Sequence, residues 1–112
     1  MPYLSVTSNQ LLDTQSAQIE SLSKMVAEAL GKPEAYVMVS LQHNPDMLFG
    51  GSNAPLAYCQ LKSLGLQQTQ TAALSETICN SLHELYAIDP SRIYIEFSAP
   101  DRPMWGWDNK TF

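Results

Sequence analysis

The chain has 112 residues, 45% of them apolar and 15% charged, with a formal net charge of −5. That length fits one domain, residues 1–112, able to bury a core without staples, and the apolar fraction excludes a disordered chain. Six Lys and Arg, none clustered, stand against eleven Asp and Glu, which excludes nucleic acid and an anionic membrane surface as expected partners.

Residues 3–7 read as a short strand, and Pro2 stands directly before it. Proline is tolerated at a strand start, where its missing N–H costs no ladder bond. If Met1 is trimmed, Pro2 also becomes a terminal secondary amine, a candidate base or nucleophile. Asp13-Thr14 offers a helix N-cap. Ile19, Leu22, Val26, Ala29 and Leu30 follow at helical spacing, with Gln18, Glu20, Ser23, Lys24 and Glu28 opposite. Gly31 and Pro33 stop that helix. Residues 36–41, Tyr-Val-Met-Val-Ser-Leu, read as a strand. Residues 43–55 are a loop broken by Pro45, Gly50, Gly51, Asn53 and Pro55. Within it, Phe49-Gly50-Gly51-Ser52 lacks the lysine and following helix of a phosphate loop and reads as a turn.

The pattern then recurs. Residues 57–64 are a strand, and Thr69 or Thr71 caps a helix bearing Leu74, Ile78, Leu82, Leu85 and Tyr86 on one face. Asp89-Pro90 ends it, as Lys32-Pro33 follows the first helix, and residues 93–97 form another strand. The chain is therefore a tandem β-α-β duplication with a tail over 98–112. The expected fold class is α/β (α+β), a four-stranded mixed sheet with two helices on one face. Strands 36–41 and 93–97 read as apolar on both faces, so other subunits are expected to cover the second face.

Cys59 and Cys79 are far apart, without C-x-x-C or ligand spacing, and read as two buried small side chains. They form no zinc pattern with His43 and His83, so no metal or other cofactor is expected. His83 falls within the second helical pattern as a surface or boundary residue. No apolar run is long enough to span a bilayer, and no basic n-region with an apolar h-region opens the chain. A cytoplasmic location is expected, and the sequon Asn109-Lys110-Thr111 is then a chance match.

Several short pieces stand out in order: Met1-Pro2, Gly31-Lys32-Pro33, Phe49-Gly50-Gly51-Ser52, Ser63-Leu64-Gly65, Asp89-Pro90-Ser91-Arg92-Ile93-Tyr94-Ile95, and Gly106-Trp107-Asp108-Asn109-Lys110-Thr111-Phe112. With the duplicated β-α-β pattern, they resemble the macrophage migration inhibitory factor family of the tautomerase superfamily. The resemblance implies a homotrimer whose sheets line a central channel, with active sites between subunits. It implies keto–enol tautomerisation of an aryl 2-oxo acid such as phenylpyruvate, or of a dopachrome, with Pro2 as general base. An unperturbed α-amine titrates at about 8 and would be mostly protonated at neutral pH. Burial and a nearby cation, here Lys32, would lower that value toward the working range of a base. Lys32 would also bind the substrate carboxylate, and the Leu64 backbone N–H would donate to the same substrate. Tyr94 of a neighbouring chain would line the pocket, with Tyr36, Trp105, Trp107 and Phe112 as apolar walls.

Three positions depart from the family pattern. Glu96 replaces an asparagine and would either offset Lys32 or bind a ring hydroxyl of the substrate. Trp105 replaces a small aliphatic residue and narrows the pocket mouth. Leu56-Ala57-Tyr58-Cys59 lacks the first cysteine of a C-x-x-C, so thiol–disulfide exchange is not expected. The competing reading from the same resemblance is a cytokine-like signalling protein with vestigial activity. A third, within the superfamily, is hydration or decarboxylation, for which Glu96 and Arg102 are the residues to suspect. Taken singly, Lys32 is commonly a dipole-complementing surface lysine, Tyr94 a core residue, and Trp105 and Trp107 interface residues.

Overall fold

Alternation along four strands builds the molecule. The computed structural model describes residues 1–12 and 17–112. β1 (Pro2–Ser8) leads through α1 (Ala17–Leu30) to β2 (Met38–His43). β3 (Ala57–Ser63) leads through α2 (Thr71–Tyr86) to β4 (Ile93–Ser98). The sheet order is β2-β1-β3-β4. β1 and β2 are parallel, as are β3 and β4, and the two units meet through antiparallel β1 and β3. This is the expected mixed sheet and duplicated unit. The tail adds what sequence patterning left as irregular chain: a small hairpin of β5 (Gly106–Trp107) and β6 (Lys110–Thr111).

Strand period two sends Leu4, Val6, Cys59, Leu61 and Ile93 to one face, where they are buried. Both helices cover that face. α1 contributes Leu22 and Val26, and α2 contributes Leu74, Ile78 and Leu82, all at the predicted helical spacing. Each such side chain stabilises the fold by roughly 1.5–3 kcal/mol when buried. Cys59 lies in this core, where burial pushes its thiol up to about 12, while Cys79 is half-buried against it.

The opposite face meets the expectation only in part. Met38 and Tyr94 are apolar side chains exposed on it, but the rest of residues 36–41 and 93–97 alternates. Val39, Leu41, Ile95 and Phe97 pack toward the helices, while Ser40, Gln42, Glu96 and Ser98 alternate with them toward the open face. β1 and β3 add Ser5, Thr7, Gln60 and Lys62 there. Side-chain bonds cross it, from Tyr3 to Ser40 at 2.7 Å and from Thr7 Oγ1 to Gln42 at 3.1 Å. Met38, Tyr58 and Tyr94 share that face with 65%, 38% and 65% of their surfaces exposed, so it is mixed: polar along its middle, with apolar side chains that association with other subunits would bury.

Local stops follow the sequence with some exceptions. Gly31 is left-handed at φ 63, and Lys32 N–H donates to Ala27 O at 3.0 Å while Gly31 N–H donates to Glu28 O at 3.2 Å. That is a Schellman closure, which favours glycine at this position. Phe49 and Ser52 exchange backbone bonds at 3.0 and 3.1 Å across Gly50 and Gly51, both at positive φ, so the expected turn is present. Tyr36 ends a 3₁₀ turn over Glu34–Tyr36 rather than opening β2. Neither Thr69 nor Thr71 caps α2; Gln67 and Gln70 form a reciprocal capping box one turn earlier. The N-cap expected at Asp13-Thr14 lies outside the described residues.

Candidate active site

Pro2 is the first residue of β1, pairs with Ser63 of β3, and is buried. The chain end therefore lies where the helix face of the sheet meets the end of α1. The Schellman closure at Gly31 turns the chain so that Lys32 reaches the same place. Lys32 Nζ donates to Ser63 Oγ at 3.0 Å and to the Leu64 carbonyl at 2.7 Å. Ser63 is fully buried, so this lysine is anchored rather than waving in solvent. The Met1 amine is held below the ordinary α-amine range, first by burial, then by the Lys32 charge and by its hydrogen-bonding contact.

Two hollows flank this chain end. One, about 440 Å³, is lined by Met1, Pro2, Tyr36, Val37, Trp105 and Trp107, with Lys62 also on its wall. Its aromatic wall is braced by ring contacts. Tyr36 meets Trp107 edge-on at 6.2 Å, and Phe112 stacks on Trp107 at 5.8 Å. The other hollow, about 330 Å³, is lined by Met1, Lys32, Leu64, Gly65 and Arg102. Met1 borders both, so the amine end lies between a mainly aromatic hollow, which also holds Lys62, and one that holds Lys32 and Arg102.

The structure thus brings Pro2, Lys32, Leu64, Tyr36, Trp105 and Trp107 together, with Phe112 behind Trp107. Leu64 also takes part through its carbonyl, which accepts from Lys32. Tyr94 and Glu96 are not part of this cluster in the same chain. Tyr94 pairs with Tyr58 of β3, five residues along from Ser63, hence about 17 Å away at a strand rise near 3.4 Å. Its ring lies tilted against Phe49 at 4.6 Å and lines a separate hollow of about 340 Å³. Glu96 lies on the open face and accepts from Tyr58 OH at 3.1 Å and Gln60 Nε2 at 3.2 Å.

Two residues escaped sequence reasoning. Ser63 holds Lys32, which follows from strand register and is invisible in spacing. Arg92 fixes the loop beside Tyr94: its guanidinium donates to the carbonyls of Phe49, Ser52, Ala54 and Pro55 at 3.0–3.2 Å. Among the described residues, no group of three or more His, Cys, Asp and Glu could hold a metal ion, and no helix is long and apolar enough to cross a membrane.

Comparison with known proteins agrees with this layout. The family model for macrophage migration inhibitory factor matches residues 1–112. The chain is 32% identical to macrophage migration inhibitory factor of Xenopus tropicalis over 114 residues, covering 100% of this chain and 99% of that protein. It is 34% identical to the homologue of Brugia malayi over the same coverage. Among solved structures, the homologue from Prochlorococcus marinus superposes with a TM-score of 0.91 at 35% identity, covering 98% of each chain. The factor from Trichinella spiralis superposes with a TM-score of 0.92 at 28% identity, covering 98% of this chain and 99% of that one. Matched over its whole length in sequence and nearly so in fold, the chain belongs to the macrophage migration inhibitory factor family, within the tautomerase superfamily.

Proposed function

We propose that the chain is a keto–enol tautomerase of aryl 2-oxo acids, of the phenylpyruvate and dopachrome type, with Pro2 as general base after removal of Met1. The observation that carries this reading is the position of the amine end between a mainly aromatic hollow and one holding Lys32 and Arg102. An aryl 2-oxo acid has the same polarity along its length: ring, acidic carbon, carbonyl, carboxylate. With the ring against Tyr36, Trp105 and Trp107, the acid end falls toward Lys32 and the acidic carbon lies between them.

The steps balance simply. The neutral Pro2 nitrogen takes a proton from the carbon beside the carbonyl. The C–H electron pair forms the enol double bond, and negative charge moves to the 2-oxo oxygen. The Pro2 ammonium then gives that proton to the oxygen, directly or through water, which completes the enol and restores the neutral amine; the reverse sequence returns the ketone. Lys32 favours the developing charge, because a preplaced cation in a partly dry site needs little reorganisation. The burial and cation that lower the Met1 amine would act on the Pro2 amine at the same strand end and keep part of it neutral.

The functional unit in this reading is a homotrimer. β2 and β4 are the sheet's edge strands, and the Tyr94 hollow lies open at the end remote from Pro2. A neighbouring chain would bring its Tyr94 to the Pro2 site, and the polar open faces would line a wet central channel. Glu96 would face that channel.

Enol absorbance of phenylpyruvate, followed with the Met-free chain and with Pro2→Gly, tests the reading. Loss of about a hundred- to ten-thousandfold in kcat/KM is expected for the variant, the usual range for a general base. Equal rates for both chains would remove Pro2 from the mechanism.

A further inference from the structure

Resting on the aryl 2-oxo acid reading, we propose that Arg102 is a substrate-selecting residue: with Lys32 it forms a two-cation clamp for the carboxylate end. The first ground is a shortage of donors. A lysine ammonium has three N–H groups. Two of those on Lys32 are committed to Ser63 Oγ and the Leu64 carbonyl. One is left for a ligand, while a carboxylate offers two oxygens and about four acceptor sites. Lys32 alone leaves most of that group unpaired, which is costly in a partly dry cleft.

Arg102 supplies what is missing. It lines the same hollow as Lys32, Leu64 and Gly65, and among the described residues its guanidinium makes no hydrogen bond or ion pair. Arg92 is the contrast, with its guanidinium occupied by four carbonyls. A guanidinium presents paired N–H groups in a planar fork that matches a carboxylate.

Charge placement is the second ground. The chain carries eleven acidic and six basic residues, yet this cleft holds two cations and no carboxylate lines it. The third ground is mounting. Arg102 opens a 3₁₀ turn whose backbone is tied by Met104 N–H to Asp101 O at 2.8 Å and Trp105 N–H to Arg102 O at 3.2 Å. Trp105 is in turn bonded through its carbonyl to Phe112 N–H at 3.2 Å. One rigid turn therefore presents Trp105 to the aromatic hollow and Arg102 to the cationic one. The spacing between ring and acid group is built into it.

The consequence is selection for the free acid over its neutral ester. The test compares phenylpyruvate with its methyl ester on the native Met-free chain, Arg102→Gln and Arg102→Lys. Arg102→Gln should raise KM for the acid about ten- to a hundredfold, the equivalent of one charged hydrogen-bonded contact. Its kcat for the acid and its kcat/KM for the ester should remain near native, because ground-state and transition-state binding are lost equally. Arg102→Lys should fall between, keeping charge without the fork. A parallel calorimetric titration with 3-phenylpropanoate, which has no keto group to enolise, reads binding without turnover. There Arg102→Gln should weaken affinity by a similar factor. An unchanged acid-to-ester ratio overturns the clamp while leaving the tautomerase reading intact, as does unchanged 3-phenylpropanoate affinity. Weakened 3-phenylpropanoate binding in a chain inert toward both substrates sustains the clamp while the tautomerase reading falls. Circular dichroism of each variant separates either result from misfolding, which is not expected for an exposed side chain on a turn.

Discussion

Removing the Ser63 hydroxyl is expected to loosen the fold and the site together. Ser63 is fully buried, and its Oγ accepts from Lys32 Nζ at 3.0 Å. Its own alternative acceptor, the Leu64 carbonyl, lies at 3.4 Å, a long contact. Ser63→Ala therefore deletes one of the two anchors of a half-buried cation and little packing volume. A hydrogen bond to a charged group contributes about 1.5–3 kcal/mol, and partial solvent access places this one at the lower end, about 1–2 kcal/mol. Urea unfolding of native chain, Ser63→Ala, Lys32→Met and the double variant forms a cycle that isolates the pair. All four belong at one protein concentration, because assembly would add stability by mass action. A coupling of about 1–2 kcal/mol is expected. If Ser63 serves only its neighbour's carbonyl, the coupling vanishes and Ser63→Ala costs the same with or without Lys32. That result would refute the anchoring of Lys32 and the donor count built on it.

Two further outcomes are expected. Ala87 closes α2 in the left-handed region at φ 55, with its N–H donating to His83 O at 2.9 Å, so Ala87→Gly should stabilise the fold by about 1 kcal/mol in thermal or urea unfolding. In the chain that keeps Met1, an NMR titration should find the terminal amine below the ordinary range, and Lys32→Met should move it upward. The linkage has a definite sign: an amine depressed on folding contributes stability above its unfolded value, and that contribution is lost as pH falls through the lowered one. No upward movement in Lys32→Met would mean that burial alone shifts the amine.

Where residues act on near neighbours, the sequence was legible. The stripes on α1 and α2, the Gly31 stop and the Phe49–Ser52 turn follow from spacing and from the left-handed freedom of glycine at turns. The open sheet face is more polar than residues 36–41 suggest, because Val37, Met38 and Val39 hide the alternation: the strand starts at Met38, which shares the outer face with Ser40 and Gln42. The α2 cap was misplaced because Gln67 and Gln70 use long side chains for work usually done by short ones. Of the site, Pro2 is a candidate from the residues alone, while Lys32 and the aromatic walls come from family resemblance, which patterning could not supply. The hold of Ser63 on Lys32 needs the register of β1 against β3, and Arg102, suspected from the resemblance for other chemistry, needs the fold of the tail to join Lys32. Tyr94 lies about 17 Å and Glu96 about 10 Å along the sheet from Pro2, separations that strand register makes plain and motif order conceals.

The central claim is that a free Pro2 amine does the chemistry, and one comparison reaches it without altering any pocket side chain. Two chains of verified intact mass are needed, one beginning at Pro2 and one with a residue left in front of it. The second converts the amine into an amide and leaves Lys32, Arg102 and the aromatic wall in place. Phenylpyruvate enolisation should fall by about a hundred- to ten-thousandfold in the second chain. Equal kcat/KM in the two chains would contradict the role of Pro2 outright.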